Sequence, residues 1–446
     1  MRLIDVRRHE WAPLAWAAAW FFCVLASYYA IRPVRDAYGV DAGPSGLRWL
    51  FTATLVAMIA VAPLYGRLTI AVPKRWLPAI VYGFFSLNLV AFWASLTAGA
   101  AVEAAGDGAW PRWLFYVWVS VFNLYSVTLF WSVAVDRLSD DQAKRLFGVM
   151  AAAGTLGGLA GSEAARWIVR LVRVEEVLWL SAGLLVAAIV CARQFRLATT
   201  RNDEQPIDLA VRPPAAQARD DLRDALAGLV AVVRSRYLAA IAVLMVLSSV
   251  VATSIYMEMS DLVGQQISSS SARTDWYARL NNYQNLLTLG GQLIGASWLI
   301  RTWGLGAALA IIPAVYAIGF TAIAVSPSLA LLGALDVAQR VASFALGVPA
   351  REVLFTTVQP IEKYRAKALI DTVGKRAGDA TAAHGYAALR AIDWTPSMIS
   401  LAMLPLTAVI AVFSVTLGRQ HARQLRIARG IDLSCSLPSR GRVREG

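Results

Sequence analysis

The sequence predicts an all-α integral membrane protein of about twelve transmembrane helices, arranged as two pseudo-symmetric halves of six helices each. Two observations carry this prediction. The 446 residues are 58% hydrophobic and only 16% charged, with a mean hydropathy of +0.54, a composition that soluble globular domains of this length do not have. Apolar runs of about 20 residues, each able to cross a hydrocarbon core about 30 Å thick, recur along nearly the whole chain.

The spans follow one another with short connections. The first is too long for a cleaved signal peptide and is followed by eleven more. The net charge is +13, and basic residues concentrate on one side of the spans, which predicts both termini in the cytoplasm. The exceptions are Arg166, Arg170 and Arg173, which the same topology places outside. The Ala-, Arg- and Trp-rich composition is typical of a bacterium with GC-rich DNA, so we expect the membrane to be a bacterial inner membrane. We place the twelve spans near residues 11–32, 47–66, 76–98, 112–135, 146–166, 176–194, 237–258, 281–300, 305–325, 327–350, 366–392 and 396–418.

The connection after the sixth span is long, polar and rich in Arg, Asp and Pro. It divides the chain into a first half at 1–195, a cytoplasmic linker at 196–236, a second half at 237–418 and a basic, disordered cytoplasmic tail at 419–446. A weak repeat supports the division. Ala143-Lys144 and Ala366-Lys367 each follow an acidic hinge, and the same offset relates the fourth span to the tenth.

Charged residues are distributed unevenly among the spans. Spans three, six, nine and twelve have no Asp, Glu, Lys or Arg in their cores, whereas spans one, ten and eleven do. This pattern indicates lipid-facing helices at the rim of a major-facilitator-type bundle with a central cavity. Span five contains the GxxxG pairs Gly154/Gly158 and Gly157/Gly161, which favour close packing against a neighbouring helix.

Span eleven is charged in its middle. Asp371, Lys375 and Asp379 recur every four residues and so share one helix face, with Arg376 beside it. Charges at bilayer depth are costly and usually face a bundle interior or an aqueous cavity. We therefore predict a polar seam where a charged substrate is bound or moved. The alternative is that these residues neutralise one another and pin the helix packing.

Span one ends with a second charged face. Tyr28, Arg32, Arg35 and Asp36 fall on one side of a continuous helix. Two arginines presented with tyrosines can grip a phosphate or a carboxylate in bidentate fashion. An anchor at the outer interface, with an Arg32–Asp36 pair, is an equally good interpretation of this spacing.

Two further spans carry polar residues. Asp336 and Arg340 of span ten are one turn apart at mid-depth, which indicates either a gate or a structural lock. Asn123 and Asp136 of span four, together with Thr128 and Ser132, form a polar stripe. The predicted substrate-binding residues are thus Arg32, Arg35, Arg340, Lys375, Arg376, Tyr28 and Asn123, and the predicted gating or ion-pair residues are Asp36, Asp136, Asp336, Asp371 and Asp379.

Other classes of function lack their motifs. No glycine-rich stretch ends in Gly-Lys-Ser/Thr, so the chain has no ATPase motor of its own. No nucleophile–base arrangement or metal-ligand spacing occurs, and the three cysteines and three histidines are scattered. We expect a non-enzymatic protein without cofactor, metal or nucleic-acid partner, which contacts the lipid bilayer and an anionic small molecule.

Three blocks resemble the nucleotide transporter family, the ATP/ADP translocases of plastids and obligate intracellular bacteria, a distant branch of the major facilitators. They occur in the family's order over nearly the whole chain, at the end of span one and at the junctions of spans four and five and of spans ten and eleven. The blocks are Tyr28-Tyr29-Ala30-Ile31-Arg32-Pro33-Val34-Arg35-Asp36, then Phe130-Trp131-Ser132 with Gln142-Ala143-Lys144-Arg145-Leu146-Phe147-Gly148, and Glu352-Val353-Leu354-Phe355 with Lys363-Tyr364-Arg365-Ala366-Lys367 and Ile370-Asp371-Thr372-Val373.

The resemblance implies an antiporter that exchanges nucleoside triphosphate for diphosphate without hydrolysis, and we expect it to be monomeric. Arg32, Arg35, Arg340, Lys375 and Arg376 would then supply the cations for the phosphates, and Asp371 and Asp379 would hold the cations of span eleven in the empty state. Two alternatives remain from other classes. One is a proton-coupled facilitator of another organic or inorganic anion, and the other is a membrane sensor that transports nothing.

Overall fold

The computed structural model describes residues 6–102, 110–200, 229–230, 232–294, 296–358, 366–367 and 369–435. In these ranges the chain is built of helices joined by short turns, and no strand occurs. The first six long helices are α1 (Trp11–Asp41), α2 (Gly43–Ala71), α3 (Leu77–Val102), α4 (Trp110–Arg137), α5 (Asp140–Leu171) and α6 (Val177–Thr200).

The second set of six is less regular. It comprises α7 (Arg236–Gln266), α8 (Ser270–Ile294), α9 (Ala296–Val325), α10, α11 and α12 (Pro396–Cys435). The helix α10 has an α-helical segment Leu329–Ala342, a π-helical segment Ser343–Gly347 and a second α-helical segment Val348–Leu354. The helix α11 contains the π-helical segment Ile370–Gly374, which is followed by the α-helix Lys375–Ala391. We call the side where α1 begins and α12 ends the near face, and the opposite side the far face.

The chain is a multi-pass membrane protein. Among the described residues, nine helices are long and apolar enough to cross a bilayer, and these are α1 to α4, α6, α7, α9, α10 and α12. Their exposed large apolar side chains need a lipid environment. Phe84, Val190, Ile318 and Leu401 are each more than half exposed and lie on α3, α6, α9 and α12, the four helices predicted to form the rim.

The remaining long helices, α5, α8 and α11, are more polar because they lie between the two halves. This position explains one difference from the sequence prediction. The helix α8 begins at Ser270, well before the predicted span 281–300, because its first turns carry Arg273, Asp275 and Arg279. Ion pairs compensate these charges in the folded chain, and a hydropathy pattern cannot detect that compensation.

The two halves repeat one packing scheme. The helix α1 packs against α4, α5 and α6, and α7 packs in the same way against α10, α11 and α12. The pairs α3–α6 and α9–α12 correspond, as do α2–α4 and α8–α10. Between the halves α2 packs against α11 and α5 against α8, so each contact is the counterpart of the other. The structure therefore has the predicted two pseudo-symmetric six-helix halves.

Only the edges of the predicted linker and part of the predicted tail lie among the described residues. The helix α6 extends to Thr200 and α7 begins at Arg236, and residues 201–228 of the predicted linker lie outside the described residues. The helix α12 runs to Cys435, into the segment predicted to be a disordered tail. Ala, Leu, Arg and Gln dominate that stretch, and all four are good helix formers. The rest of the tail, 436–446, also lies outside the described residues.

The glycines of α5 allow close contact with α1. A Cβ atom added to Gly157 would lie 2.3 Å from the carbonyl oxygen of Phe22, and one added to Gly161 would lie 2.1 Å from that of Ala26. Both contacts are with backbone, which cannot move aside as a flexible side chain can. The predicted role of the GxxxG pairs in helix packing is thus confirmed, and it brings α1 to the centre of its half.

Candidate functional site

The charged end of span one lies inside the bundle, within the helix α1. Arg35 donates from Nη2 to Asp36 Oδ1 at 2.6 Å and from Nη1 to Ser120 Oγ at 3.2 Å, and its guanidinium lies 4.6 Å from the ring centre of Tyr116. Arg32 approaches Asp36 more loosely, at 3.8 Å. Arg32 and Asp36 are both buried, so an anchor among outer headgroups is excluded. The structure does contain the predicted Arg32–Asp36 pair, as part of a larger set of contacts.

Asp36 also connects α1 to the second half. The hydroxyl of Tyr256, on α7, donates to Asp36 Oδ1 at 3.0 Å. Tyr116 of α4 lies beside the same tyrosine, with 3.5 Å between the two hydroxyl oxygens. A substitution of Asp36 would therefore alter the contacts among α1, α4 and α7.

The pair of span ten is present as predicted. Arg340 donates from Nε to both carboxylate oxygens of Asp336, at 3.0 and 3.1 Å. Gln284 of α8 donates to the same carboxylate at 2.7 Å and Gln339 donates at 3.1 Å. Asp336 is 1% exposed, so these three donors satisfy a carboxylate that lies out of contact with water.

The charged groups of α11 have partners on α7 and α10 as well as on α11 itself. Asp371 lies in the π-helical segment Ile370–Gly374, which ends just before Lys375. Asp371 pairs with Arg351 of α10 at 3.4 Å, and Asp379 accepts from Arg376 at 3.3 Å. The hydroxyls of Ser249 and Thr253, on α7, also donate to Asp379.

Lys375 is the exception among these cations. Within the part of the chain that the structure describes, its ammonium group makes no hydrogen bond and no ion pair, and its side chain is exposed. Its closest electrostatic neighbours are Asp379, Arg376, Arg340 and Arg351. An exposed cation surrounded by other cations in the middle of a membrane bundle is available to an anion.

Electrostatic interactions join the charges of the two halves into one group. Arg340 of α10 interacts with Asp36 and Tyr28 of α1, and Tyr116 of α4 interacts with Arg376 of α11. We call this group the central cluster. Its six basic residues outnumber its four carboxylates, which leaves an excess of two positive charges among the described residues of the cluster. The members are Arg32, Arg35, Asp36, Asp336, Arg340, Arg351, Asp371, Lys375, Arg376 and Asp379.

Three of the predicted site residues are not members of the central cluster. Tyr28 is half-buried beside Tyr29, with 5.1 Å between the ring centres, and it borders the central cluster. Asn123 is half-buried on α4, and the described residues give it no hydrogen-bond partner. Asp136 lies far from the cluster, at the near-face end of α4, where its carboxylate pairs with exposed Lys74 at 2.6 Å.

The sequence-based prediction omitted three residues that the structure places with the cluster. Arg351 pairs with Asp371, Tyr116 stacks on Arg35, and Tyr256 binds Asp36. Arg351 follows Pro349 near the end of a span, where a basic residue resembles an interfacial anchor. No periodic pattern in the sequence indicated Tyr116 and Tyr256, because their partners lie on helices distant in sequence.

The far face is closed by ion pairs between the halves. Arg273 of α8 pairs with Asp41 of α1, and Arg112 of α4 reaches the same carboxylate at 3.4 Å. Asp275 of α8 accepts from Arg166 of α5 at 3.2 Å. On the near face, the ion pairs of the described residues stay within one half, as in Arg145–Glu10 and Lys367–Glu352.

Comparisons with known proteins identify the fold. No family model and no curated protein matches the chain. Solved structures do match. A bacterial homologue of the iron transporter ferroportin, in an inward-facing state, is 10% identical over 93% of this chain and 99% of that chain, with a TM-score of 0.66.

Two further solved structures are similar over almost their full length. An autoinhibited peptide transporter of the POT family is 13% identical over 97% of this chain and 99% of its own, with a TM-score of 0.59. The nucleoside transporter NupG is 12% identical over 94% and 99%, with a TM-score of 0.54. At such identities the likeness is one of fold alone, and the fold of this chain is the all-α, major-facilitator-like membrane fold.

Proposed function

We propose that this chain is a secondary transporter that works by alternating access and exchanges nucleotides such as ATP and ADP across a bacterial inner membrane. The observation that carries the proposal is the central cluster, where cations from both halves meet with an excess of positive charge and with Lys375 unpaired. The substrate class comes from the three sequence blocks that resemble those of the ATP/ADP translocases. The protein would act as a monomer, with the near face in the cytoplasm.

A polyphosphate matches the charge of the cluster. Nucleoside di- and triphosphates carry about three to four negative charges, and such charge is stabilised strongly only by cations in a medium of low dielectric constant. Lys375 is free to make the first contact. Arg340 and Arg376 would then exchange Asp336 and Asp379 for phosphate oxygens, since each is held by a carboxylate at 3.0 to 3.3 Å. Tyr28 and Asn123 would contact the nucleoside.

The same charges explain why exchange is favoured over one-way transport. An empty cluster carries excess positive charge, and sealing it from water on both faces costs several kcal/mol per uncompensated ion. A bound polyphosphate removes that charge, so the occluded state is accessible only when loaded. Binding to both halves also couples the substrate to their relative movement. The far face, closed by Arg273–Asp41, would open as the near face closes.

A second candidate is a facilitator of another organic or inorganic anion. One observation favours keeping it. All ten members of the described cluster are charged side chains, so the cluster selects its ligand by charge. Inorganic phosphate or a dicarboxylate would satisfy Lys375 and its neighbours in the same way.

The experiment is uptake of labelled ATP into liposomes that contain the purified protein, with ADP, phosphate, a dicarboxylate or nothing trapped inside. We expect uptake that requires internal ADP, and that Lys375→Ala abolishes. Lys367→Ala is the matched control, because Lys367 lies on the same segment but pairs with Glu352 outside the cluster. Uptake supported equally by every trapped anion would favour the second candidate, and no uptake from monodisperse protein would disprove nucleotide exchange.

A further inference from the structure

Glu258 lies on α7 and is almost completely buried, with 1% of its surface exposed. Its hydrogen-bond partner is Ser400 of α12, whose hydroxyl lies 3.3 and 3.2 Å from the two carboxylate oxygens. Ser400 is itself fully buried. A single hydroxyl shared between both oxygens gives a carboxylate weak support.

The other buried carboxylates of the described chain are held differently. Each of them has a basic side chain within 3.5 Å, and Glu258 alone has none within 4.0 Å. These buried carboxylates lie in both halves of the bundle and toward both of its faces. The paired carboxylates are Glu10 with Arg145, Asp36 with Arg35, Glu175 with Arg173, Asp275 with Arg166, Asp336 with Arg340 and Asp379 with Arg376.

The surroundings of Glu258 offer no substitute cation. Asp261, one turn along α7, adds a like charge, and α11 adds Tyr386 and Arg390. Both of these are committed to Asp261, which accepts from Tyr386 at 3.1 Å and pairs with Arg390 at 2.8 Å. Where α1 and α8 meet α7, the contacts of Asp36 and Tyr277 are with Tyr256 and Ser260 rather than with Glu258. From α2 and α10, no described charged group pairs with it.

We propose that Glu258 is a proton-binding site that couples substrate movement to the movement of a proton. A buried carboxylate without a cation bears the full desolvation penalty, and binding a proton removes its charge. In the conformation with the far face closed, Glu258 is therefore the neutral acid and forms a hydrogen bond with Ser400. The step makes and breaks one O–H bond, with water as the proton donor and acceptor.

A cavity on the far side lies close to Glu258. Its volume is about 500 Å³, and its lining includes Met257, Ser260 and Asp261, which are within three residues of Glu258 on α7. Arg273 and Asp41, which close the far face, line the same cavity. Opening of that face would extend the water to Glu258, so the carboxyl would exchange its proton with the far side only in that state.

This inference rests on the proposed transporter function, and its test separates the two. Infrared difference spectra of the full-length protein in D₂O, recorded through a pH titration, report the C=O stretch of protonated carboxyl groups. We expect a band at neutral pH that Glu258→Gln removes and Glu258→Asp shifts. Glu175→Gln is the matched control, because Glu175 is a similarly buried glutamate that is paired with Arg173. A band unchanged in Glu258→Gln and Glu258→Asp would overturn the proposal, whether or not ATP is transported.

Transport provides the second readout. In liposomes, acidification of the far side is expected to stimulate wild-type uptake at least threefold, and Glu258→Gln is expected to lose the stimulation while exchange at symmetric pH continues. Stimulation retained in Glu258→Gln would overturn the coupling. If no tested anion is transported, the infrared band still decides whether Glu258 binds a proton, so failure of the proposed exchange is distinguishable from failure of this inference.

Discussion

The helices α1 and α11 bring cations to the same central cluster but hold them in opposite ways. In α1, regular helical spacing lets both Arg32 and Arg35 reach Asp36. In α11, Asp371 pairs with Arg351 of α10, and Lys375 has no ion pair among the described residues. The cations of α1 are thus held by a carboxylate of the same helix, whereas α11 has a cation that is available to a ligand. A π-helical segment, a feature frequently found at functional sites, ends just before that lysine.

The largest effect is expected from removing the Arg35–Asp36 ion pair of α1. Arg35→Ala removes the closest cation from a carboxylate that is 3% exposed, and breaking a buried pair typically costs about 3–5 kcal/mol. We expect loss of transport together with a marked fall in thermal stability, measured as the temperature at which detergent-solubilised protein ceases to be monodisperse. Arg234→Ala serves as the control, because Arg234 is exposed and has no ion pair within the described ranges. Normal stability in Arg35→Ala would show that Arg32 alone holds Asp36.

Removing the ammonium group of Lys375 on α11 is expected to lower transport without lowering stability. Lys375→Ala removes no ion pair, so stability should stay within about 0.5 kcal/mol of the wild type, as for most substitutions outside such features. Transport should fall at least tenfold, which corresponds to about 1.4 kcal/mol of lost substrate stabilisation. Lys375→Arg should retain part of the activity because it keeps the charge. A stability loss as large as that of Arg35→Ala would assign Lys375 to the fold instead.

These two helices also show how far the sequence could be interpreted. Charge spacing alone predicted the Arg32–Asp36 and Asp336–Arg340 contacts correctly, because both occur within regular helix, where residues four apart are neighbours. The same spacing of Asp371 and Lys375 does not correspond to an ion pair, because Asp371 pairs with Arg351 of α10, which local spacing cannot indicate. The rim helices were predictable from hydropathy, since lipid contact acts on each helix independently.

Local residue spacing could not predict the contacts between helices that are distant in sequence. Tyr256 and Asp36 are 220 residues apart and Arg351 has no partner within its own helix turn, so nothing in the local sequence marks either contact. The polar start of α8 was missed for the same reason, because Arg273 and Asp275 find their partners on α1 and α5. Glu258 was overlooked because one acidic residue near the end of an apolar run resembles an interfacial residue.

An intermediate effect should follow from releasing Asp371 from its partner. Arg351→Ala removes the cation that pairs with Asp371 at 3.4 Å and leaves this carboxylate four residues before Lys375. We expect a folded protein whose transport in the liposome assay falls toward that of Lys375→Ala, because Asp371 then neutralises the lysine. Adding Asp371→Asn to Arg351→Ala should restore part of the activity. If the double variant is no better than Arg351→Ala, Arg351 itself is needed for transport and does not act by holding Asp371.

The smallest effect is expected at the far end of α1, where Asp41 bridges Arg273 and Arg112. Its carboxylate is 24% exposed, and pairs of this kind contribute up to about 1 kcal/mol. Asp41→Asn should therefore shift the population toward the far-open state by about fivefold at most. Labelling of Ser260→Cys from the far side by a membrane-impermeant maleimide measures this shift, because Ser260 lines the cavity that Asp41 closes.

Salt provides the control for that measurement. Raised ionic strength screens exposed ion pairs, so it should speed labelling with Asp41 present and have little further effect in Asp41→Asn. The same salt should leave the stability of the buried Arg35–Asp36 pair unchanged, because water and ions do not reach it. Equal salt sensitivity at both ends of α1 would contradict the distinction between a buried pair that stabilises the helix bundle and an exposed pair that only biases its conformation.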